Sequence, residues 1–193
     1  MGGTSRFAAV VLSGGTAERL GGVDKGSLEW EGRALLDRVL DAVADADEVV
    51  VAGPVVPTSR PVSFAREQPP GGGPVAGLLA ARRSLEPRTG LLVVVAVDMP
   101  LVTHDTVARL VSAAGGHDGA VLVDDTGRRH LAAALDVARL DAVAPTDGGH
   151  GRPWRGLLSG LALAEVRAVQ DEGHDVDTWT DLDRSRPDQQ RGL

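Results

Sequence analysis

Apolar residues along the chain fall into two kinds of block. Short unbroken runs occupy 7–12, 49–52 and 91–97. Continuous rather than alternating hydrophobicity is the pattern of strands buried on both faces of a parallel sheet. Between and after them, Leu35, Leu36, Val39, Leu40 and Val43 recur with helical spacing, as do Val107, Leu110, Val111 and Ala114, and later Trp154, Leu157, Leu158 and Leu161. The runs 62–65, 120–123, 131–135 and 164–169 predict further strands, and 75–84 a further helix. Breaks fall where strands should end: Ser13-Gly14-Gly15, Gly53-Pro54, the Pro/Gly-rich stretch 68–74, and the turn Asp124-Asp125-Thr126-Gly127.

Alternating strands and helices predict an α/β fold of three α/β/α layers around a mostly parallel sheet. The expectation is one domain over 1–193, with its core at about 7–183 and a polar tail at 184–193. In such sheets ligands bind outside the carboxyl ends of the strands. Functional residues are therefore expected just after Leu12, Ala52, Ala65 and Val97.

Composition narrows the partners. A net charge of -7 argues against nonspecific binding to nucleic acid or anionic membrane. Aromatics at 3% leave little base-stacking surface for single strands. The absence of cysteine excludes disulfides, thiolate zinc sites and cysteine nucleophiles. The first residues carry no apolar signal-peptide core, and 91–97 is far too short to span a bilayer. A cytoplasmic protein is expected.

The segment after the first strand holds the strongest chemical signal. Gly14 and Gly15 let backbone N–H groups approach phosphate oxygens closely, while Arg19 and Lys25 add positive charge within reach. Such a loop can hold a triphosphate and neutralise charge growing on departing pyrophosphate. It is neither a Walker loop, because Lys25 precedes Gly26, nor G-x-G-x-x-G, which disfavours a dinucleotide dehydrogenase. Asp98 ends the most apolar strand and is the first candidate for magnesium, a cation that takes one or two carboxylates together with phosphate oxygens and water. Thr103 and Asp105 read as helix-cap residues. Asp124 and Asp125 read as a solvated turn; His130, beside a predicted strand, could face an acceptor but reads first as an ordinary polar strand residue. No pair of histidines has H-x-x-x-H spacing.

The loop Leu12-Ser13-Gly14-Gly15-x-x-x-Arg19-Leu20-Gly21-Gly22-x-Asp24-Lys25-Gly26 resembles the signature of the molybdenum cofactor guanylyltransferases, within the Rossmann-like nucleotidyltransferase superfamily. Gly73-Pro74-Val75-Ala76-Gly77, Val97-Asp98-Met99-Pro100 and Asp175-Val176-Asp177-Thr178 resemble three later elements of that family, in order. The resemblance implies a fold of the nucleotide-diphospho-sugar-transferase type. It implies transfer of GMP from GTP–Mg2+, with Mn2+ as a substitute metal, to the terminal phosphate of molybdopterin. Its partners are then GTP, the phosphorylated pterin and, transiently, other cofactor-biosynthesis proteins or recipient enzymes.

By residue, the resemblance assigns catalysis to Lys25, Arg19 and Asp98. It assigns nucleotide binding to Leu12, Ser13, Gly14, Gly15, Lys25, Ala52, Glu67, Gly77 and Asp98, and metal binding to Asp98 and Asp177. Asp177 equally suits the cap of a helix around 179–183. The chain departs from the family in having Ala52 where Asn is frequent, Glu67 where Asp is frequent and Ser13 where Ala is frequent, which loosens the expectation of guanine selectivity. The rivals are a molybdopterin cytidylyltransferase or sugar-phosphate nucleotidyltransferase, a noncatalytic nucleotide-binding adaptor of the same fold, and a D-x-D glycosyltransferase. The joint presence of Lys25, Arg19 and Asp98 speaks against the adaptor.

Overall fold

In the computed structural model, which describes residues 6–14, 16–17, 23–86 and 90–176, the first apolar run forms strand β1 (Phe7–Leu12). Two small antiparallel ribbons follow, β2 (Thr16–Ala17) with β3 (Val23–Asp24), and β4 (Glu29–Trp30) with β5 (Arg33–Ala34). Helix α1 (Leu35–Ala42) leads to β6 (Val49–Ala52) and β7 (Ser63–Ala65). Helix α2 (Gly73–Ser84) starts two residues before the apolar pattern does, because Pro74 fits the first helical turn, where its missing N–H costs nothing. Strand β8 (Leu91–Ala96) and helix α3 (His104–Ala113) come next. Thr103 caps α3 in a reciprocal box with Thr106, as the expected cap position requires. The chain ends its described course with β9 (Gly119–Val123), β10 (Arg129–Asp136), α4 (Val137–Val143), α5 (Trp154–Leu158) and β11 (Leu163–Arg167). Among the described residues, no helix is long and apolar enough to cross a membrane.

Seven strands make one sheet in the order β11-β9-β10-β8-β1-β6-β7. All pairs are parallel except those of β10, which runs against both β8 and β9. Successive side chains on a strand point to opposite faces, so each central strand feeds two cores. Ala9, Val11, Val93 and Val95 pack under α1 and α3; Val10, Leu12, Val50, Leu92 and Val94 pack under α2, α4 and α5. That is the expected three-layer arrangement. Helix α4 went unforeseen because only Val137 and Leu140 of it are buried, too few to make a periodic stripe.

The position of β1 sets up the site. From β1 the chain winds outward through β6 and β7, then returns to place β8 on the other side of β1. At such a switch point the connections leave in opposite directions and open a crevice at the strands' carboxyl ends. Because β10 is reversed, its beginning, not its end, reaches the same rim: Ala132 pairs with Val95, and Asp136 with Leu91.

Candidate active site

Three backbone hydrogen bonds lace the strand ends together beyond the regular sheet. Val97 N donates to Leu12 O, Ser13 N to Ala52 O, and Gly53 N to Ala65 O, each at 2.9 Å. Gly53 permits this approach, since a Cβ there would lie 2.9 Å from the Ser13 carbonyl carbon. One consequence bears on nucleotide recognition. The N–H of Ser13 is committed to the sheet, so ligand donors in this loop begin at Gly14.

The chain then returns across the strand ends in a single 3-10 turn, Lys25–Ser27, with the Asp24 carboxylate accepting from Gly26 N and from Ser27 Oγ. Gly26 is buried against Ser13; a Cβ would come within 2.7 Å of Ser13 Oγ. This close fit turns Lys25 over the end of β8. There its Nζ donates to Asp98 Oδ2 at 3.0 Å, with side chains only 15% and 22% exposed.

Around that pair lies a crevice of about 110 Å³, and every expected nucleotide residue within the described part of the chain lines it: Leu12, Ser13, Gly14, Lys25, Ala52, Glu67, Gly77 and Asp98. Gly15, Arg19 and Asp177 lie outside the described residues. Gly73, Pro74, Ala96, Val97 and Leu131 complete the lining. Leu131 was not anticipated. It comes from the start of the reversed strand β10, beside a register shift between Arg129 and Ala133 that interrupts the ladder at the rim.

Glu67 is 8% exposed, and its Oε1 accepts from Gly71 N at 2.9 Å and Gly72 N at 3.2 Å. It therefore shapes the loop that enters α2 as well as lining the crevice. His150 braces the same loop from outside, with Nε2 2.9 Å from Pro69 O, while Gly151 N donates to Gly72 O. Gly77 faces the crevice floor, where an added Cβ would meet only ordinary contacts, Ala52 Cβ at 3.6 Å and Leu12 Cδ2 at 3.7 Å.

Two expectations need correction. Asp124 is not merely solvated: its Oδ1 accepts from Thr126 Oγ1, Thr126 N and Arg128 N. These bonds, the Thr126 hydroxyl first, hold its carboxyl down to about 2 despite the opposing effect of desolvation, and His130 adds a smaller push. Nor is His130 an ordinary strand residue. It is 3% exposed, with Nε2 3.3 Å from Asp124 Oδ2 and Nδ1 4.0 Å from Asp175 Oδ1. The causes differ: the Asp124 bonds depend on how its own turn closes, whereas His130 is covered by Gly173 of a C-terminal segment that no local pattern announces.

That segment reaches the site. Val176 N donates to Asp98 O at 2.8 Å. Upstream, Glu172 takes both 2.6 Å bonds from Arg109 Nη2, one from Thr106 Oγ1 and one from Val169 N. Burial alone would raise the Glu172 carboxyl; the Arg109 and Thr106 bonds outweigh it and leave it below its ordinary value.

A larger cavity of about 490 Å³ opens at the opposite end of the sheet. Its charges are turned on each other and on neighbours, Arg6 to Asp47 at 3.0 Å and Arg82 to Asp141 at 2.9 Å, and it lies at the strands' amino ends. The crevice at the carboxyl ends is the better ligand site.

Among the described residues, no group of three or more His, Asp or Glu could hold a metal ion alone. A magnesium ion bound together with phosphates takes only one or two protein carboxylates. Asp98 suits that role: its largely buried carboxylate already holds a cationic group at 3.0 Å.

A mostly parallel sheet with a crevice at its switch point makes this a Rossmann-like fold. The model of the MobA-like NTP transferase domain matches residues 9–160. A molybdenum cofactor guanylyltransferase of Acidiphilium cryptum (strain JF-5) is 36% identical over 195 aligned residues, covering 93% of each chain. The chain belongs to the MobA-like NTP transferase family. Its fold is shared with the molybdopterin-guanine dinucleotide biosynthesis protein A of Archaeoglobus fulgidus (TM-score 0.66, 22% identity, 92% of this chain and 96% of that one). It is also shared with Rv0371C of Mycobacterium tuberculosis H37Rv, solved in complex with manganese (TM-score 0.70, 19% identity, 94% and 98%).

Proposed function

We propose that this nucleotidyltransferase moves GMP from GTP–Mg2+ to the terminal phosphate of molybdopterin, releasing pyrophosphate and forming the guanine dinucleotide cofactor. The observation that carries the reading is the meeting of Lys25 with Asp98 in a crevice floored by Gly77 and walled by Gly14 and Glu67. The name of the Acidiphilium relative, at 36% identity over nearly the whole chain, supports the guanylyl donor and the pterin acceptor.

In the reaction an acceptor phosphate oxygen attacks the α-phosphorus. A new P–O bond forms, and the bond to the oxygen bridging α and β breaks, with its electron pair leaving on pyrophosphate. Both reactants are anionic, so the work of the protein is to hold them in line and compensate charge. Lys25 donates to the triphosphate and stabilises the charge that grows on pyrophosphate, with Arg19 assisting. Gly14 presents its N–H to phosphate. Asp98, just past the rigid end of β8, would hold the metal, with Asp177 as its second ligand. A bound magnesium ion would supply Lewis-acid catalysis there. Base recognition falls to backbone groups from Gly14 onward and from the loop anchored by Glu67.

The test is pyrophosphate release with each of the four ribonucleoside triphosphates and molybdopterin as acceptor. GTP should exceed ATP by at least about tenfold, roughly 1.4 kcal/mol, because a base with mismatched edges leaves polar groups of the site unpaired. Faster release with CTP would make the chain a cytidylyltransferase, and no release with any triphosphate would make it a binding protein.

A further inference from the structure

The proposed transfer brings two anionic reactants to opposite sides of one phosphorus, and the crevice accounts for only one of them. All of its lining except Leu131 comes from Lys25, β1, β6, the segment after β7, α2 and the end of β8. In the sheet, β1, β6 and β7 lie on one flank of β8, and β10, β9 and β11 on the other. On the proposed function, a triphosphate held by Gly14 and Lys25 occupies the first flank. In-line displacement sets the attacking oxygen opposite the departing pyrophosphate. The acceptor then approaches from the side of β10.

A phosphorylated acceptor calls for a cation there. Arg128 and Arg129 stand where β10 begins, and Arg167 where β11 ends. Each meets a carboxylate: Arg128 Nη2 donates to Asp175 Oδ2 at 2.6 Å, Arg129 Nη2 to Glu165 Oε1 at 3.1 Å, and Arg167 Nη1 to Asp125 Oδ1 at 3.2 Å. Neighbouring strands are about 4.8 Å apart, so Arg167, three strands from β8, stands about 14 Å away from it. Arg129 is built into the ladder opposite Val123 and is 32% exposed. Arg128 lies just outside the ladder and is 64% exposed, so a ligand can reach its guanidinium.

Arg128 is also tied to the centre of the site. The residue after its partner Asp175 is Val176, whose N–H donates to Asp98 O at 2.8 Å. With consecutive Cα atoms 3.8 Å apart, this places the guanidinium roughly 10 Å from Asp98. The main chain beneath it is fixed at both ends: Arg128 N donates to Asp124 Oδ1 at 3.0 Å, and Arg128 O accepts from Asp124 N at 3.1 Å. A held backbone under an exposed head is a preorganised arm. Its present partner is replaceable, since an exposed ion pair contributes little, whereas phosphate offers a guanidinium two parallel charge-assisted bonds. Asp175 would keep a second neighbour, His130 Nδ1 at 4.0 Å.

We propose that Arg128 binds the terminal phosphate of the acceptor: its guanidinium exchanges the Asp175 carboxylate for phosphate oxygens and so holds the attacking group on the β10 side of Asp98. This rests on the reading of the chain as a nucleotidyltransferase with a phosphorylated acceptor.

The experiment compares the full chain with Arg128→Ala, Arg128→Lys and Arg167→Ala. Pyrophosphate release at saturating GTP–Mg2+ gives the KM for molybdopterin, and calorimetry gives the affinity for GTP–Mg2+. An NMR titration of the GTP–Mg2+ complex with inorganic phosphate follows the arginine Nε–H signals. The KM should rise about 10-fold or more in Arg128→Ala, the usual cost of losing hydrogen bonds to a charged group. Arg128→Lys should recover part of it, because lysine keeps the charge but not the fork. Arg167→Ala should behave as wild type, and GTP affinity should stay within about twofold in all three. In the wild type, phosphate should shift the Arg128 signal and leave that of Arg167 in place. An unchanged KM in Arg128→Ala overturns the proposal, as does a phosphate titration that leaves the Arg128 signal unmoved. An equal rise in Arg167→Ala overturns it by reducing the effect to the general field of the rim, and weakened GTP binding in Arg128→Ala overturns it by placing the arginine with the triphosphate. If the wild type releases no pyrophosphate with molybdopterin, the proposed acceptor is wrong, and the phosphate titration alone decides whether Arg128 receives a phosphate.

Discussion

Lys25 and Asp98, 73 positions apart in the chain, meet at 3.0 Å across the mouth of the crevice. An ammonium already resting on a carboxylate is a site prepared for exchange. On the proposed function, incoming phosphates would compete for the lysine, and an incoming divalent cation for the aspartate. If so, the two residues fail in different ways when removed.

Lys25→Ala should keep its circular dichroism spectrum and still bind GTP–Mn2+, because the carboxylate remains. Its rate of pyrophosphate release should fall by about 100-fold or more, the usual cost of removing a donor aimed at developing charge. A rate near that of the wild type would remove the lysine from the chemistry.

Asp98→Asn preserves size but not charge. Its pyrophosphate release should drop by about two orders of magnitude, close to 3 kcal/mol of transition-state stabilisation. The electron paramagnetic resonance signal of bound Mn2+ should vanish at concentrations that saturate the wild type. Retained metal binding would place the ion elsewhere.

Gly77 offers a test in which stability and function part company. A helix-interior glycine costs about 1 kcal/mol relative to alanine, and the added Cβ meets no clash. Gly77→Ala should therefore raise Tm. If the open floor it leaves is where the base sits, calorimetry should show GTP binding weakened by about tenfold. A variant both more stable and equally tight would show that the base lies elsewhere.

Ser13 is 2% exposed, and its Oγ makes no hydrogen bond among the described residues. Removing an unsatisfied buried hydroxyl relieves a penalty of about 1 kcal/mol. Ser13→Ala should be neutral or stabilising in urea melts and turn over within a few-fold of wild type. A large loss of activity would show that the hydroxyl acts on substrate.

The clamp on the C-terminal segment should be sensitive to acid. The Glu172 carboxyl is held below its ordinary value of 4.5, so its contribution is fully present above that pH and is lost as pH falls through the lower folded value. The Tm difference between wild type and Glu172→Gln should be constant at neutral pH and shrink below pH 4.5. A difference independent of pH would mean the carboxylate charge contributes nothing.

Much of this architecture could be read directly. The runs that became β1, β6 and β8 are apolar at every position because both faces are covered, and the glycines and charges after them fall where the topology needs a ligand. What could not be read has a common cause. Ala132 to Leu135 in β10 are buried on both faces too, so their composition is that of a parallel strand and does not reveal the reversal. Glu67 gave its type but not its bond to Gly71 and Gly72, which depends on how the loop closes. His130 owes its setting to Gly173 and Asp175, more than forty residues later, and no local pattern records such a contact.

The reversal of β10 also bears on how this scaffold can diversify. One bank of the crevice is made of segments that feed helices, and a change in their length would drag the layers with it. The other bank is Leu131 of β10, which follows the five-residue tip between β9 and β10, closed by Asp124 N to Arg128 O and Gly127 N to Asp124 O. A hairpin tip can lengthen or shorten without shifting any strand register behind it. On the proposed function, that tip could vary with the acceptor while the residues proposed to hold the triphosphate stay as they are.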